Sequence, residues 1–216
     1  MNYERIYNYR FKDVDPVKKN LVWNEVASFI YNATGKPQTV LDPAGGMCEF
    51  INNIKSPNRF VIDLNREFLD KYADESITKI IGDNLKVEIP ENHFELVFIS
   101  NFLEHLYSQD QVAEFLGRMF RAVKTGGYIA VMGPNYRFAY KEYFDFADHT
   151  VCLTELGVTE HLYGAGFEIL KVHPRFLPMS FRGGLPVNKF LVQTYLQMPF
   201  AWRFFGKQFL VIGRKQ

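Results

Sequence analysis

Acids and amides recur through the first hundred residues of this 216-residue chain at near-constant intervals: Asp42 in "TVLDPAGGMCEF", Asp63 in "RFVIDLN", the pair Asp83-Asn84 in "ITKIIGDN", and Ser100-Asn101 closing "FELVFIS". The spacing is 21 residues from Asp42 to Asp63 and 20 from Asp63 to Asp83. Carboxylates and amides in such a series can accept hydrogen bonds from a diol and face a cation. The turn Gly45-Gly46 lets backbone approach a ligand closely. Five histidines supply groups that titrate near neutrality. His93, His161 and His173 fall at positions expected to be surface. His105 and His149 follow the fourth and fifth apolar runs, in loops that could cover a reacting group, and are the candidates for catalysis; structural roles, a loop hydrogen bond or a helix cap, compete with that reading for both.

The elements that must carry these residues alternate. Apolar runs at 39–42, 59–65, 77–84, 94–100 and 127–134 read as strands, and the spacing predicts helices over 16–31 and 109–124. A further helix is expected from Thr154, closed by Gly164 and Gly166, followed by strands in "EILKVHP" and "QFLVIGRK". Strands alternating with helices predict an α/β fold: a Rossmann-like, mainly parallel sheet with helices on both faces. In such sheets ligands sit beyond the carboxyl ends of the strands, which is where the acids recur.

Negative charge around the turn selects the ligand. Asp42 precedes Gly45-Gly46 and Glu49 follows, which disfavours a pyrophosphate, and neither G-x-G-x-x-G nor G-x-x-x-x-G-K-[ST] is present. A nicotinamide oxidoreductase is opposed on the same grounds. A cationic ligand with ribose and adenine suits the acids, and S-adenosylmethionine has that description.

The order "VLDPAGG", "VIDLN", "IGDN", "FELVFISNFLEHL", "AVKTGGYIAVMGPN" resembles the class I S-adenosylmethionine-dependent methyltransferases over residues 40–137. "CEFIN", "SNFLEHL", "GPN", "DFADH" and "PRFLP" are similar to a bacterial subgroup associated with surface glycans or secondary metabolites. The resemblance implies a seven-stranded sheet with the last strand antiparallel and a single domain over 1–216. It implies that Asp42, Ala44, Gly45 and Gly46 hold the methionine part of the cofactor. Asp63, with Leu64 beside it, would take the ribose hydroxyls, Asp83 and Asn84 the adenine edge, and Asn101 and Phe102 would lie beside the reactive methyl. The family pattern D-x-G-x-G-x-G is departed from at Ala44 and Cys48, tolerable only where φ stays negative. Some methyltransferases bind magnesium through E-x-x-E-H; the run here, Asn101 to His105, lacks the first carboxylate, so no metal is expected. Cys48 is expected to be a small buried residue, and Tyr7, Tyr9 and Arg10 are candidates for an N-terminal lid, with ordinary packing the competing reading.

Charge is unevenly spread. Met1 to Glu168 carries 17 Lys and Arg against all 24 Asp and Glu, whereas Ile169 to Gln216 carries 8 Lys and Arg and no acid. A basic, aromatic insertion is expected at about 175–206, before the last strand. It suits core cover or a homodimer contact, an interfacial helix on anionic lipid, or an acidic acceptor between Arg175 and Arg182. Near-zero total charge makes nucleic acid an unlikely partner. Two cysteines, a charged N-terminus and no long apolar run predict a cytoplasmic protein, with any membrane contact peripheral. The function expected is methyl transfer to a hydroxyl or amine of a small-molecule, glycan or carrier-linked acceptor, with a lipid-linked acceptor among the partners. The rival is a non-enzymatic module of the same fold that docks on lipid or protein through its tail.

Overall fold

In a computed structural model, which describes residues 5, 6, 9, 10, 12, 14–179 and 187–216, seven strands form one sheet in the order β3-β2-β1-β4-β5-β7-β6. The strands are β1 (Thr39–Asp42), β2 (Asn58–Asp63), β3 (Thr78–Ile81), β4 (Phe94–Ser100), β5 (Val123–Pro134), β6 (Glu168–His173) and β7 (Gln208–Arg214). The first five pair in parallel, and β7 runs antiparallel between β5 and β6, as the resemblance implies. Alternate residues divide between the two faces. Val40, Val61, Phe98 and Met132 join one buried cluster, and Leu41, Ile62, Val97, Ile99 and Val131 join the other. This is the period-two division a sheet covered on both sides requires.

Local chemistry sets the helix starts. Helix α1 (Pro16–Ala33) begins at Asp15, whose carboxylate accepts from Val17 N, with Pro16 at the first turn, and it runs two residues beyond the expected end. Helix α2 (Glu49–Asn53), just after the glycine turn, is only five residues long. Helix α3 (Arg66–Tyr72) is capped by Asn65. Helix α4 (Gln109–Ala122) is capped by Ser108 and ends two residues earlier than expected, because Val123 and Lys124 already belong to β5. After the short α5 (Tyr136–Ala139), Thr154 caps α6 (Glu155–Ala165), which closes on Gly166 at φ 109°. The expected helix start at Thr154 is thus its cap, half in the helix.

Two helices, α7 (Lys189–Gln197) and α8 (Pro199–Phe205), lie between β6 and β7. They divide their aromatics. Trp202 is buried against Phe29, Phe176 and His173 and donates Nε1–H to the Tyr195 carbonyl. Gln193 Nε2 donates to Glu25 on α1. Phe190, Phe200, Phe204 and Phe205 stay exposed. Arg175 donates from Nε to the Gly206 carbonyl and from Nη2 to the Phe204 carbonyl, which ties it to the end of α8. Phe181 and Arg182 lie outside the described residues, as does Tyr7. Among the described residues no helix is long and apolar enough to cross a membrane.

Candidate active site

The connections diverge between β1 and β4: β1 leads outward to β2 and β3, β4 to β5 and the antiparallel pair. At the carboxyl ends of these two strands lies a cavity of about 190 Å³. The topological switch point is where open α/β sheets bind their ligands. Asp42, Ala44, Gly45, Gly46, Asn101, His105 and His149 all line it, together with Arg10, Glu49, Ser100 and Glu104. Asp63, Leu64, Asp83, Asn84 and Phe102 lie outside its walls. Phe102 turns into the helical layer, its ring 4.9 Å from Phe115.

The turn after β1 shows why each residue stands where it does. Gly45 admits no side chain, since a Cβ there would come within 2.2 Å of Val61 Cγ2. Gly46 adopts φ +52° with open space where a Cβ would be. Ala44 is not among the residues with positive φ, so it replaces glycine without strain; Cys48 has φ 60°, a conformation unfavourable for a side chain. Cys48 is fully buried, as expected, and burial followed by the charges of Asp42, Asp63 and Glu49 pushes its thiol pKa up, so it is no nucleophile. Asn101 also has positive φ, 49°, a conformation Asn tolerates better than most residues.

Asp63 joins the turn from the next strand. Its Oδ2 accepts from Gly46 N at 2.9 Å and its Oδ1 from Asn65 N at 2.8 Å. Burial raises its pKa against those hydrogen bonds. Asp42, 4 % exposed, has its pKa raised from 3.8 to about 7, chiefly by burial and further by Asp63 and Glu49. The two carboxylates therefore share one electrostatic environment. Glu49 pairs with Lys19 of α1. Asp83 spends Oδ1 on the Leu85 amide of its own turn and has Lys86 3.4 Å away, whereas Asn84 is buried with Oδ1 lacking a partner among the described residues.

The opposite end of the cavity is built by the loops after β4 and β5. The Glu104 carbonyl accepts from Thr150 N at 2.8 Å and Val151 N at 3.2 Å, which draws the segment holding His149 against the one holding His105. The two imidazoles lie 5.0 Å apart. His105 Nδ1 meets the Asp148 carbonyl at 2.9 Å, so that nitrogen carries the proton and Nε2 keeps its lone pair. The Asp148 carboxylate lies 3.5 Å from the same Nδ1 and is itself paired with Arg10, whose guanidinium sits 4.9 Å from the centre of the Phe146 ring. Arg10, one of the lid candidates, is thus part of the cavity wall, whereas Tyr9 is exposed. His149 stacks on Phe146, and burial, with His105 adding to it, lowers its pKa to about 4, keeping it neutral. Glu104, which the sequence offered only as the second carboxylate of an incomplete E-x-x-E-H run and not as a site residue, also lines the cavity.

Residues 41–131 match a family described as a methyltransferase domain. No curated protein matches the chain. Among solved structures, a SAM-dependent methyltransferase from Archaeoglobus fulgidus superposes with a TM-score of 0.69 at 20% identity, covering 99% of this chain and 100% of that one. A SAM-dependent methyltransferase from Thermotoga maritima gives 0.67 at 13% identity, over 98% of this chain and 99% of that one. One from Clostridium acetobutylicum gives 0.67 at 14%, over 99% and 97%. At these identities the likeness is one of fold. Residues 41–131, from β1 to β5, thus match a methyltransferase domain, the chain around them has the fold of these SAM-dependent methyltransferases, and S-adenosylmethionine is the cofactor that such a domain implies.

Proposed function

We propose that the chain transfers a methyl group to a hydroxyl, or to an amine, of a small-molecule, glycan or carrier-linked acceptor. The observation that carries the reading is that one cavity is lined both by an acidic turn open at two glycines and by two imidazoles. When bound, S-adenosylmethionine supplies an electrophilic methyl, whose carbon bonds to the acceptor's lone pair as its bond to sulfur breaks and that pair stays on sulfur. The chain's own residues position the two reactants and manage the proton. Gly45 and Gly46 give the methionine part room at the backbone, with Asp42 facing its cationic groups. Asp63 accepts from the Gly46 amide of the turn at Oδ2 and from the Asn65 amide at Oδ1, and its carboxylate keeps lone-pair capacity for a ribose hydroxyl. Leu64, Asp83 and Asn84 form the open adenine side. Asn101 stands at the boundary of the two ends, and Phe102 supports it from the helical layer. Neutral His149 accepts a hydrogen bond from the acceptor. His105 Nε2 takes the proton, and the Asp148 carboxylate beside Nδ1 stabilises the imidazolium that results.

Calorimetric titration with S-adenosylmethionine, S-adenosylhomocysteine and nicotinamide dinucleotides tests this. Binding of the first two alone is expected; absence of both, with the chain folded, would leave only a non-enzymatic module.

The exposed Phe190, Phe200, Phe204 and Phe205, beside Lys189 and Arg203 in a tail free of acids, favour an acceptor presented at an anionic lipid surface. Co-sedimentation with vesicles rich in phosphatidylserine at low salt is expected, with release at high salt. Chain that stays in the supernatant at low salt removes the membrane from the proposal.

A further inference from the structure

We infer that Glu104, His105 and His149 form a binding site for one divalent transition-metal ion at the acceptor end of the cavity. One donor atom from each lies within 4.8 Å of the other two. Ligands held about 2.0–2.2 Å from a shared ion stand closer together than that, so loading draws the three inward by about 1 Å.

The state of the donors argues for the ion. Glu104 is 1 % exposed, and its Oε1 has no hydrogen-bond partner among the described residues; His149 is 9 % exposed, and its Nδ1 has none either. Buried polar atoms left unpaired are costly and uncommon, and here two belong to residues of one cluster that line one cavity. His105 is arranged as metal-ligating histidines are: Nδ1–H donates to the Asp148 carbonyl, which fixes the ring and leaves Nε2 free. Arg10 is paired with Asp148, which offsets its charge, and burial raises the pKa of Glu104, a cost that a bound cation would relieve. Two imidazoles and one carboxylate suit zinc, iron, cobalt or nickel over magnesium, which prefers oxygen ligands.

The sequence argued against a metal because it was read locally, as a pentad with asparagine in place of its first carboxylate. The fold supplies instead a third ligand 44 residues beyond His105. The inference rests on the reading of this end of the cavity as the acceptor end, and it gives the imidazoles the role of ligands in place of proton acceptors. An acceptor hydroxyl coordinated to the ion would give up its proton to water, and its oxygen would then bond to the methyl carbon as the carbon–sulfur bond of S-adenosylmethionine breaks and that pair stays on sulfur.

The test titrates chelator-treated, full-length protein with Zn²⁺ by calorimetry and with Co²⁺ by visible absorption. Expected are one ion per chain, a cobalt spectrum without a thiolate charge-transfer band, and at least a tenfold loss of affinity in Glu104→Gln, which keeps the side-chain shape, and in His149→Ala. Thermal melting of each variant confirms that it is folded. No stoichiometric uptake by the wild type, or equal affinity in a folded Glu104→Gln or His149→Ala variant, overturns the site. Titration of the same preparation with S-adenosylhomocysteine separates the two readings: cofactor bound without an ion sinks the metal site alone, and an ion bound without cofactor sinks the cradle alone.

Discussion

Replacing Asp63 with alanine is expected to weaken S-adenosylhomocysteine binding by at least tenfold, or about 1.5 kcal/mol, measured by calorimetry at neutral pH. Two losses combine. The ribose loses a charged acceptor, and the Gly46 amide, held by Asp63 Oδ2 at 2.9 Å, loses the partner that fixes the turn. Because Gly46 stands at φ +52°, nothing else about its own conformation favours the position it holds. Asp63→Asn separates the two effects. Its one carbonyl oxygen can satisfy either the Gly46 or the Asn65 amide but not both, so it should fall between wild type and alanine. An alanine variant with wild-type affinity would mean that the ribose hydroxyls are held by some other group.

Asp42→Asn should stabilise the apo protein above pH 7 while weakening its hold on S-adenosylmethionine. The folded-state pKa, about 7, lies above the unfolded value of 3.8, so between the two the folded chain binds more protons than the unfolded one. Stability therefore falls as pH rises from about 4 to about 7, by as much as about 4 kcal/mol for this group, and stays low above that range. Asparagine has no charge to bury and escapes the loss. Urea denaturation should give variant and wild type similar stability near pH 4 and a gap of about 1–4 kcal/mol, in favour of the variant, at pH 8. Binding runs the other way. A cationic ligand prefers ionised Asp42, so wild-type affinity should climb as pH passes through about 7, and the variant's should be weaker and flat. A stability gap that does not change with pH would show that Asp42 is not the buried acid this site requires. Such an acid, costly to the empty protein and useful only with ligand, marks a site by the strain it carries.

The α/β class, the positions of seven strands and the acids at their ends were legible in the sequence because each depends on local pattern. A short β-branched run ending in Asp42, another ending in Asp63 about one strand-helix unit later, and the Gly45-Gly46 turn are written in neighbouring residues, and parallel strands of similar length bring their ends to one rim. The conformations within the turn were not legible: that Ala44 avoids positive φ while Cys48 adopts it depends on how the chain re-enters α2. Nor was the division of the tail's aromatics, where Trp202 is buried because Phe29 of α1 and Phe176 lie against it, whereas Phe200 and Phe204 pair with each other in the open. The sequence named His105 and His149 as candidates and sets Glu104 beside His105, but that the three donors meet belongs to tertiary structure. Hydrogen bonds from Thr150 and Val151 to the Glu104 carbonyl join two loops that no periodicity connects, and burial there leaves donor atoms without partners. Strand ends are set by local pattern, whereas the meeting of distant loops is set by packing across the sheet, and it is the second that decided what faces the cavity beside the Gly45-Gly46 turn.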